Sequence, residues 1–567
     1  MKNLWVLKPK PDATAVDLLM KEVTLPQPLA TVLAQRGINS FDKAKNFFRP
    51  DLEKLHDPFL MKDMDKAVHR ILKAIESQEN ILVYGDYDVD GTTAVATMYD
   101  FLKSIYENVS YYIPDRYTEG YGISMTGIDF ADDNGISLII ALDCGIKAIS
   151  KIQYAADKNI DFIICDHHLP GDLLPEAVAV LDPKRTDCSY PFKELSGCGI
   201  GFKLIQALAE KLNLSPETVY DYLDLAAVSI AADIVPIVDE NRTLAYFGLK
   251  KLRDNPRMGL ASLVSEEQRK RADISCIVFS IAPKINATGR LEHASQSVEL
   301  LIAKEAEKVK EFASQISDLN ETRKEKDGNV TVQAIQQIRE NREEKTFATV
   351  VYDPTWHKGV LGIVASRLTE TYYRPTLVLT DGKEGEITGS ARSVKDFDLY
   401  EIIDACSDFL LQYGGHKFAA GLTLKKENFP LFKNKFEELV KEKIKPSQQQ
   451  PNIEIDAEIN FSEIDGRFLR LLKQLAPFGP QNMTPLFLTK NLIGGKIKEM
   501  GKEGEHLRLS LFDEFSKTEL PAVAFGMGIS KHDFEYRKFD AVYSIDENYW
   551  KGATYLQLNI RDVRFRD

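Results

Sequence analysis

The sequence predicts an α/β protein in which a parallel-sheet domain is followed, through a long helix, by a smaller α/β domain and then a C-terminal β-barrel. Three observations carry this reading. Five short apolar runs alternate with helical stretches between residues 81 and 182, the pattern of parallel strands buried on both faces. A charged, helix-forming segment then leads into a second set of apolar runs. After the polar, proline-flanked stretch KPSQQQP (445–451), apolar/polar alternation returns to the end of the chain.

Residues 1–80 have the periodicity of a helical segment. The first domain, 81–293, holds the strands ILVY (81–84), VSYYIP (109–114), SLIIALD (137–143), DFIICD (161–166) and AVAVLD (177–182), with helices over 200–214 and 217–232 capping the sheet. Residues 294–344 read as a connecting helix or helix pair interrupted at Gly328. The second α/β domain, 345–444, holds TFATVVYD (346–353), PTLVLTD (375–381), EITGSARS (386–393) and AAGLTL (419–424). In 452–567 the alternating runs HLRLSLFD, LPAVAFG, DAVYSIDE and TYLQLNIRDVRF predict a small antiparallel barrel of OB type, rich in aromatic residues. The linker before it marks it as an accessory whose removal should leave the preceding domains intact.

Composition narrows the function. Hydrophobic residues at 44% and charged residues at 28% are those of a globular protein, which excludes disordered and fibrous classes. The 72 Lys+Arg against 85 Asp+Glu leave a net charge of −13, so a polyanion must meet a local basic groove or bound metal. The six cysteines never fall at C-x-x-C spacing and read as reduced thiols of a cytoplasmic protein. The start MKNLWVLKPKPD is no signal peptide, and no run of about 18 apolar residues occurs, so no membrane partner is expected.

The chemistry concentrates at strand ends. GDYDVDG (85–91) follows the strand ILVY and crowds Asp86, Asp88 and Asp90 into one turn, where like charges repel unless cations neutralise them. A calcium loop would need a glutamate at its twelfth position, which is missing; a solvated acidic turn is the alternative for this segment alone. The next strands end in Asp143 and in Asp166-His167-His168, and ligands in open α/β sheets gather at such carboxyl ends. Asp233, after the apolar run AVSIAA, is a fourth candidate, with a helix cap as its plainer reading. Carboxylates with one or two imidazoles and no thiolate suit two Mn²⁺ or Mg²⁺ ions, with histidine favouring Mn²⁺. Two such ions activate a water for attack on a phosphate ester.

GDYDVDG, ALDCGI, CDHHLP and AADIVPI resemble the four successive motifs of the DHH phosphoesterase superfamily. INATGRLEHAS, DPTWHKGVLGIVASRL, GSARSV, GGHKFAAGL and APFGPQN extend the resemblance to the bacterial single-strand-specific exonucleases of the RecJ family, over nearly the whole chain from about residue 40. The resemblance implies a DHH domain and a smaller DHH-associated domain. It implies metal ligation by Asp88, Asp90, Asp143, His167 and Asp233 with Asp143 bridging, and a catalytic His168 facing the scissile phosphate or leaving group. Asp86 belongs to the motif as a group that orients a ligand or water. Asp224 is the alternative to Asp233; the VPI context favours Asp233.

In the second domain, Arg392 in GSARSV and His416 in GGHKF stand beside glycines, and the family uses matching positions to hold substrate across the cleft. On residue grounds alone Gly414-Gly415 is a plain turn; the resemblance makes Gly415 part of the substrate site. His357 precedes a helix start at Gly359 whose free N–H groups suit a phosphate, with a surface histidine beside a core Trp356 as the equal alternative. Arg290 and Arg367 are weaker candidates of the same kind. The expected activity is 5′-to-3′ degradation of single-stranded DNA in recombination and repair, with a single-strand-binding protein and a helicase as partners. A DHH phosphodiesterase acting on short oligonucleotides or cyclic dinucleotides is the alternative, and a replication scaffold that has lost its ligands is disfavoured because every motif acid and both histidines are present.

Overall fold

The computed structural model describes residues 3–550 and 553–566. Chain contacts divide these into two compact units: one comprises Pro283–Ser297 and Glu307–Asn452, the other Trp5–Ala282, Val298–Ala306 and the chain from Ile453 on.

The larger unit opens with helices α1 (Ala13–Glu22), α2 (Gln27–Gln35) and α3 (Phe41–Phe48). Its central sheet follows as β1 (Asn80–Gly85), β2 (Val109–Tyr112), β3 (Ile136–Leu142), β4 (Asp161–Cys165) and β5 (Ala179–Leu181). All neighbours are parallel, in the order β2-β1-β3-β4-β5. Ile81, Leu82, Val83 and Tyr84 of β1 are all 0% exposed, as continuous apolar strands covered on both faces must be. In this order the strand succession reverses between β1 and β3, and the crevice beyond their carboxyl ends is where such sheets hold ligands. Helix α4 (Val89–Ile105) leaves β1, and α5 (Gly197–Lys211), α6 (Leu223–Ala232) and α7 (Asp239–Asp254) pack the sequence after β5 back against it.

In the smaller unit, α8 (Ala306–Glu340) is one 35-residue helix in which Gly328 does not break the register. An added Cβ at Gly328 would meet nothing, so the glycine sits on an open side and costs only propensity. A separate helix, Ser295–Ile302, precedes it. The sheet runs β9-β10-β8-β7-β6, with β6 (Thr349–Tyr352) parallel to β7 (Thr376–Asp381), and β8 (Glu386–Arg392), β9 (Leu410–His416) and β10 (Ala419–Lys425) antiparallel. One face carries a core that includes Ile387, Ala391, Leu422 and Leu424; on the other, α8 and α9 (Leu361–Tyr372) cover Val351 and Val378.

The C-terminal strands β11 (Phe487–Met500), β12 (His506–Asp513), β13 (Thr518–Ala524), β14 (Phe539–Trp550) and β15 (Ala553–Phe565) close into a barrel through the β11–β14 pairing. It is not wholly antiparallel, because β13 and β15 run parallel. Five strands are an odd number, and a closed ring of them cannot alternate direction at every pair.

The expectation of a detachable barrel is corrected by the packing. Leu19, Leu29 and Leu33 of the N-terminal helices share one core with Leu507, Leu509, Tyr543 and Leu558 of the barrel. The segment APFGPQN is equally integral. Arg242 of α7 donates to the carbonyls of Gln474, Leu475 and Ala476, and Ile237 N donates to Pro480 O at 2.8 Å.

Candidate active site

The turn after β1 is shaped by its glycines and acids. Asp88 caps α4, its Oδ1 accepting from Gly91 N at 3.0 Å. A Cβ at Gly91 would lie 2.3 Å from Asp86 O, so only glycine lets the turn close. Asp90, the second residue of α4, points to the start of α5: Oδ2 accepts from Gly197 N at 2.7 Å, and Oδ1 from Cys198 N at 2.8 Å and Ser229 Oγ at 2.6 Å. A helix N-terminus thus holds this carboxylate in one orientation.

Asp143 ends β3 with φ +59°, a left-handed conformation sparsely populated outside glycine. Gly197 packs against it so closely that a Cβ there would lie 2.6 Å from Asp143 Cβ. After β4, Asp166 organises both histidines. Its Oδ1 accepts from His167 N (2.8 Å), His168 N (3.2 Å) and His168 Nδ1 (2.7 Å), and its Oδ2 from Ile146 N (2.9 Å). Burial raises the Asp166 carboxyl, but these donors and both imidazoles outweigh it and bring it down to about 2. His168 Nε2 in turn meets Tyr121 Oη at 3.2 Å.

His167 is the centre of the cluster. It is 6% exposed, and its Nε2 lies 3.1 Å from Asp143 Oδ1, 3.6 Å from Asp233 Oδ2 and 3.7 Å from Asp90 Oδ2. Neither ring nitrogen has the alignment of a hydrogen bond, and Asp143 Oδ1 and Asp86 Oδ2 are likewise buried without a partner. Burial lowers the His167 imidazole, favouring the neutral form that can coordinate a metal. Burial followed by the neighbouring carboxylates raises Asp86, Asp88 and Asp143, and pushes Asp233 up to about 8. Ligand atoms of Asp143, His167 and His168, and of Asp90, His167 and Asp233, form two groups whose atoms lie within 4.8 Å of one another. Buried, unpartnered oxygen and imidazole donors fit Mn²⁺ or Mg²⁺.

Asp233 therefore joins the cluster and Asp224 does not. Asp224, 0% exposed, receives Arg257 Nε at 3.2 Å and Arg257 N at 3.0 Å. The turn that aims Asp233 places Ile234 at φ +60°, which a β-branched residue rarely adopts. His168 stands beside His167 and Asp143 as well as on Asp166. The sequence marks Asp166 only as a strand-end acid and gives no role to Tyr121, Ser229 or the α5 N-terminus; the one local signal for Tyr121 is its position between Gly120 and Gly122.

The substrate candidates of the smaller unit divide into two sets. Arg392 of β8 and His416 of β9 are both in register with Ala419 of β10, so they share one sheet face two strand spacings apart, about 9–10 Å. Ala419 lies between them, and the adjoining row on that face carries Ser390, Gly421 and Gly414; a Cβ at Gly414 would meet nothing within 4 Å. Gly414-Gly415 is thus strand, not turn. Gly415 has φ +143°, and a Cβ on it would lie 2.3 Å from Ala419 O.

Both sets have local partners: Arg392 Nη1 donates to Ser390 Oγ at 3.0 Å and Ala391 O at 2.7 Å, and His416 Nδ1 accepts from Phe418 N at 3.4 Å. Gly359 N is not free, because it donates to His357 Nδ1 at 3.1 Å, and burial, followed by the charge of Lys326, lowers that imidazole. Arg290 Nη1 donates to Gly359 O at 3.1 Å, and Arg367 pairs with buried Asp327 of α8 at 2.5 Å. Trp356 is core, donating to Gln333 Oε1 at 2.7 Å.

A parallel sheet with acids and histidines at adjoining strand ends defines a metal-dependent phosphoesterase of DHH type, and residues 80–230 match the DHH family N-terminal domain. Residues 344–442 match the DHHA1 domain and 455–562 the RecJ OB domain. The chain is 35% identical to the single-stranded-DNA-specific exonuclease RecJ of Bacillus subtilis over 99% of its length and 71% of the relative's. It is 30% identical to that of Escherichia coli, covering 95% and 96%. The crystal structure of RecJ in complex with Mn²⁺ from Thermus thermophilus superposes with a TM-score of 0.85 at 26% identity, over 100% of this chain and 80% of that one. The chain belongs to the RecJ family.

Proposed function

We propose that the protein is a metal-dependent exonuclease that degrades single-stranded DNA from its 5′ end by hydrolysis of phosphodiesters. The observation that carries the chemistry is the set of buried polar atoms without a hydrogen-bond partner on Asp143 and His167, with Asp86 beside them, at neighbouring strand ends. The relatives' specificity for single-stranded DNA supports the substrate.

Asp88, Asp90, Asp143, His167 and Asp233 would hold two Mn²⁺ or Mg²⁺ ions. Bound there, the ions supply an acidified water and offset charge at phosphorus. Asp90 is held in place by the α5 N–H groups, and Asp166 fixes the tautomer and direction of His168. His168, with Nδ1 on Asp166, presents Nε2 toward the scissile phosphate or leaving group. Asp86 orients a ligand or water beside Asp88. In the smaller unit Arg392 and His416 bind strand phosphates over the smooth Gly414–Gly421 face. Gly415 keeps their strand in place, and His357, Arg290 and Arg367 shape the adjoining turn. The barrel retains long strands by base stacking. Among the described residues no helix is long and apolar enough to cross a membrane. The enzyme acts in the cytoplasm in recombination and repair, where a helicase and a single-strand-binding protein supply the strand.

The test uses 5′- and 3′-end-labelled single strands, duplexes and dinucleotides with Mn²⁺, Mg²⁺ or excess chelator. Single strands should be shortened from the 5′ end, with chelation abolishing the reaction and either metal restoring it. Full activity in chelator, or preference for duplex or dinucleotide, overturns the reading.

A further inference from the structure

A cavity of about 540 Å³ lies away from the metal ligands, between α3, the start of α7 and the 481–482 turn. Its volume falls within the range of small-ligand pockets, about 300–1,000 Å³. It shares no residue with the proposed metal site or with the Arg392–His416 sheet face.

Its charges are unusual for a protein of net charge −13. At its floor Arg242 is 4% exposed, with its guanidinium 3.7 Å from the Phe47 ring centroid. Its hydrogen bonds go to backbone carbonyls, and no carboxylate is among those partners. Beside it Arg36 donates to Asn482 Oδ1 and Met483 O, again neutral acceptors. Burial, followed by the charge of Arg36, brings Arg242 down to about 9; burial, opposed by Asp456, brings Arg36 to about 10. Two neighbouring guanidinium groups paired with neutral acceptors keep this end of the cavity positive, although the Arg242 N–H groups are all taken up by carbonyls.

The mouth adds cations on flexible stems. Arg49 and Lys54 are exposed, and the Arg49 side chain has no hydrogen-bond or ion-pair partner among the described residues. The wall also carries three acids, Asp51, Asp239 and Glu240, and each has a partner; Asp51 Oδ1 accepts from Glu53 N at 3.1 Å. Glu240 accepts from Lys203 Nζ (2.9 Å), Tyr190 Oη (2.5 Å) and His56 N (2.8 Å), and Asp239 faces His56 Nε2 at 3.1 Å. The remaining wall joins apolar Leu55, Phe192 and Val238 to the hydrogen-bonding side chains of Asn46, Thr243 and Gln481. An apolar slot with a few amides and a cationic rim suits a base and sugar inside and a phosphate outside. A carboxylate side chain would leave the slot unfilled.

We propose that this cavity is a second nucleotide site, binding one nucleoside monophosphate unit, either free or as part of a strand, with Arg36, Arg49 and Lys54 on the phosphate. It stands on the cavity and its charges, whatever the metal centre cuts.

The test is equilibrium dialysis of the full chain with labelled dAMP in excess chelator. The first variant is R49E with K54E, which changes only exposed side chains; the second, L55W, fills the slot and leaves the charges intact. Thermal melts verify that each is folded. Saturable dAMP binding should weaken about tenfold or more in both variants. A 5′-phosphorylated decathymidylate that displaces dAMP identifies the strand as the source; failure to displace identifies the free nucleotide. Absence of saturable binding, binding unmoved by both cavity variants, or an acidic peptide binding there while dAMP does not, overturns the proposal.

Discussion

Asp166 shows how much of the chemistry hangs on a residue that need not touch the metal. It accepts from the backbone of both histidines and from His168 Nδ1, so Asp166→Asn should misorient His168 and lower kcat about 10- to 100-fold while metal affinity changes less. Titrating Mn²⁺ binding beside turnover checks the split. Asp143→Ala removes a central carboxylate and should cost about a thousandfold or more in rate. The metal-free cluster also makes a pH prediction. Asp233 holds its proton up to about 8, whereas an unfolded aspartate loses it near about 4. Between those values the native state binds more protons than the unfolded one, so stability falls as pH rises across that window. In chelator, Tm should be lower at pH 8 than at pH 5. Asp233→Asn should flatten the slope, and saturating Mn²⁺ should remove it.

At the level of elements, strand β9 carries a requirement that separates two neighbouring glycines. Gly415→Ala faces both φ +143° and a contact of 2.3 Å with Ala419 O, so it should distort the β9–β10 edge and weaken strand binding. Gly414→Ala enters open space and should be tolerated structurally. Arg392→Ala and His416→Ala, on the same face, should weaken substrate binding or turnover yet leave Mn²⁺ affinity unchanged. Isothermal titration with metal and with a non-hydrolysable single strand distinguishes these outcomes. Loss of Mn²⁺ affinity in either variant contradicts their assignment to substrate.

For the molecule as a whole, the barrel is a structural partner of the N-terminal helices. Each large apolar side chain withdrawn from water contributes roughly 1.5–3 kcal/mol, against a total stability of about 5–15 kcal/mol. Leu19, Leu29 and Leu33, all 0% exposed, pack into the barrel core, and Arg242 has its hydrogen bonds on the 474–477 carbonyls. Truncation after Gln450 should therefore yield aggregated or partly unfolded protein rather than a trimmed nuclease. A cooperative melt and full Mn²⁺ binding in the truncated chain would refute this.

Period and position along the chain are local properties, which is why the sequence by itself determined the strands, the long charged helix and the acids at strand ends. A buried parallel strand announces itself in four or five consecutive residues, and the residue after it lies at the ligand-binding edge wherever the helices go. Convergence is not local. Asp224 and Asp233 lie on one apolar run, and only the fold takes the first to Arg257 and the second to His167. Glycine pairs suit turns and strands alike, so the pairing of β9 with β10 had to decide Gly414-Gly415. The polar stretch 445–451 has a linker's composition, yet the cores it separates in sequence are joined by residues more than 400 positions apart. Tertiary structure alone decided these, because they depend on which surfaces meet.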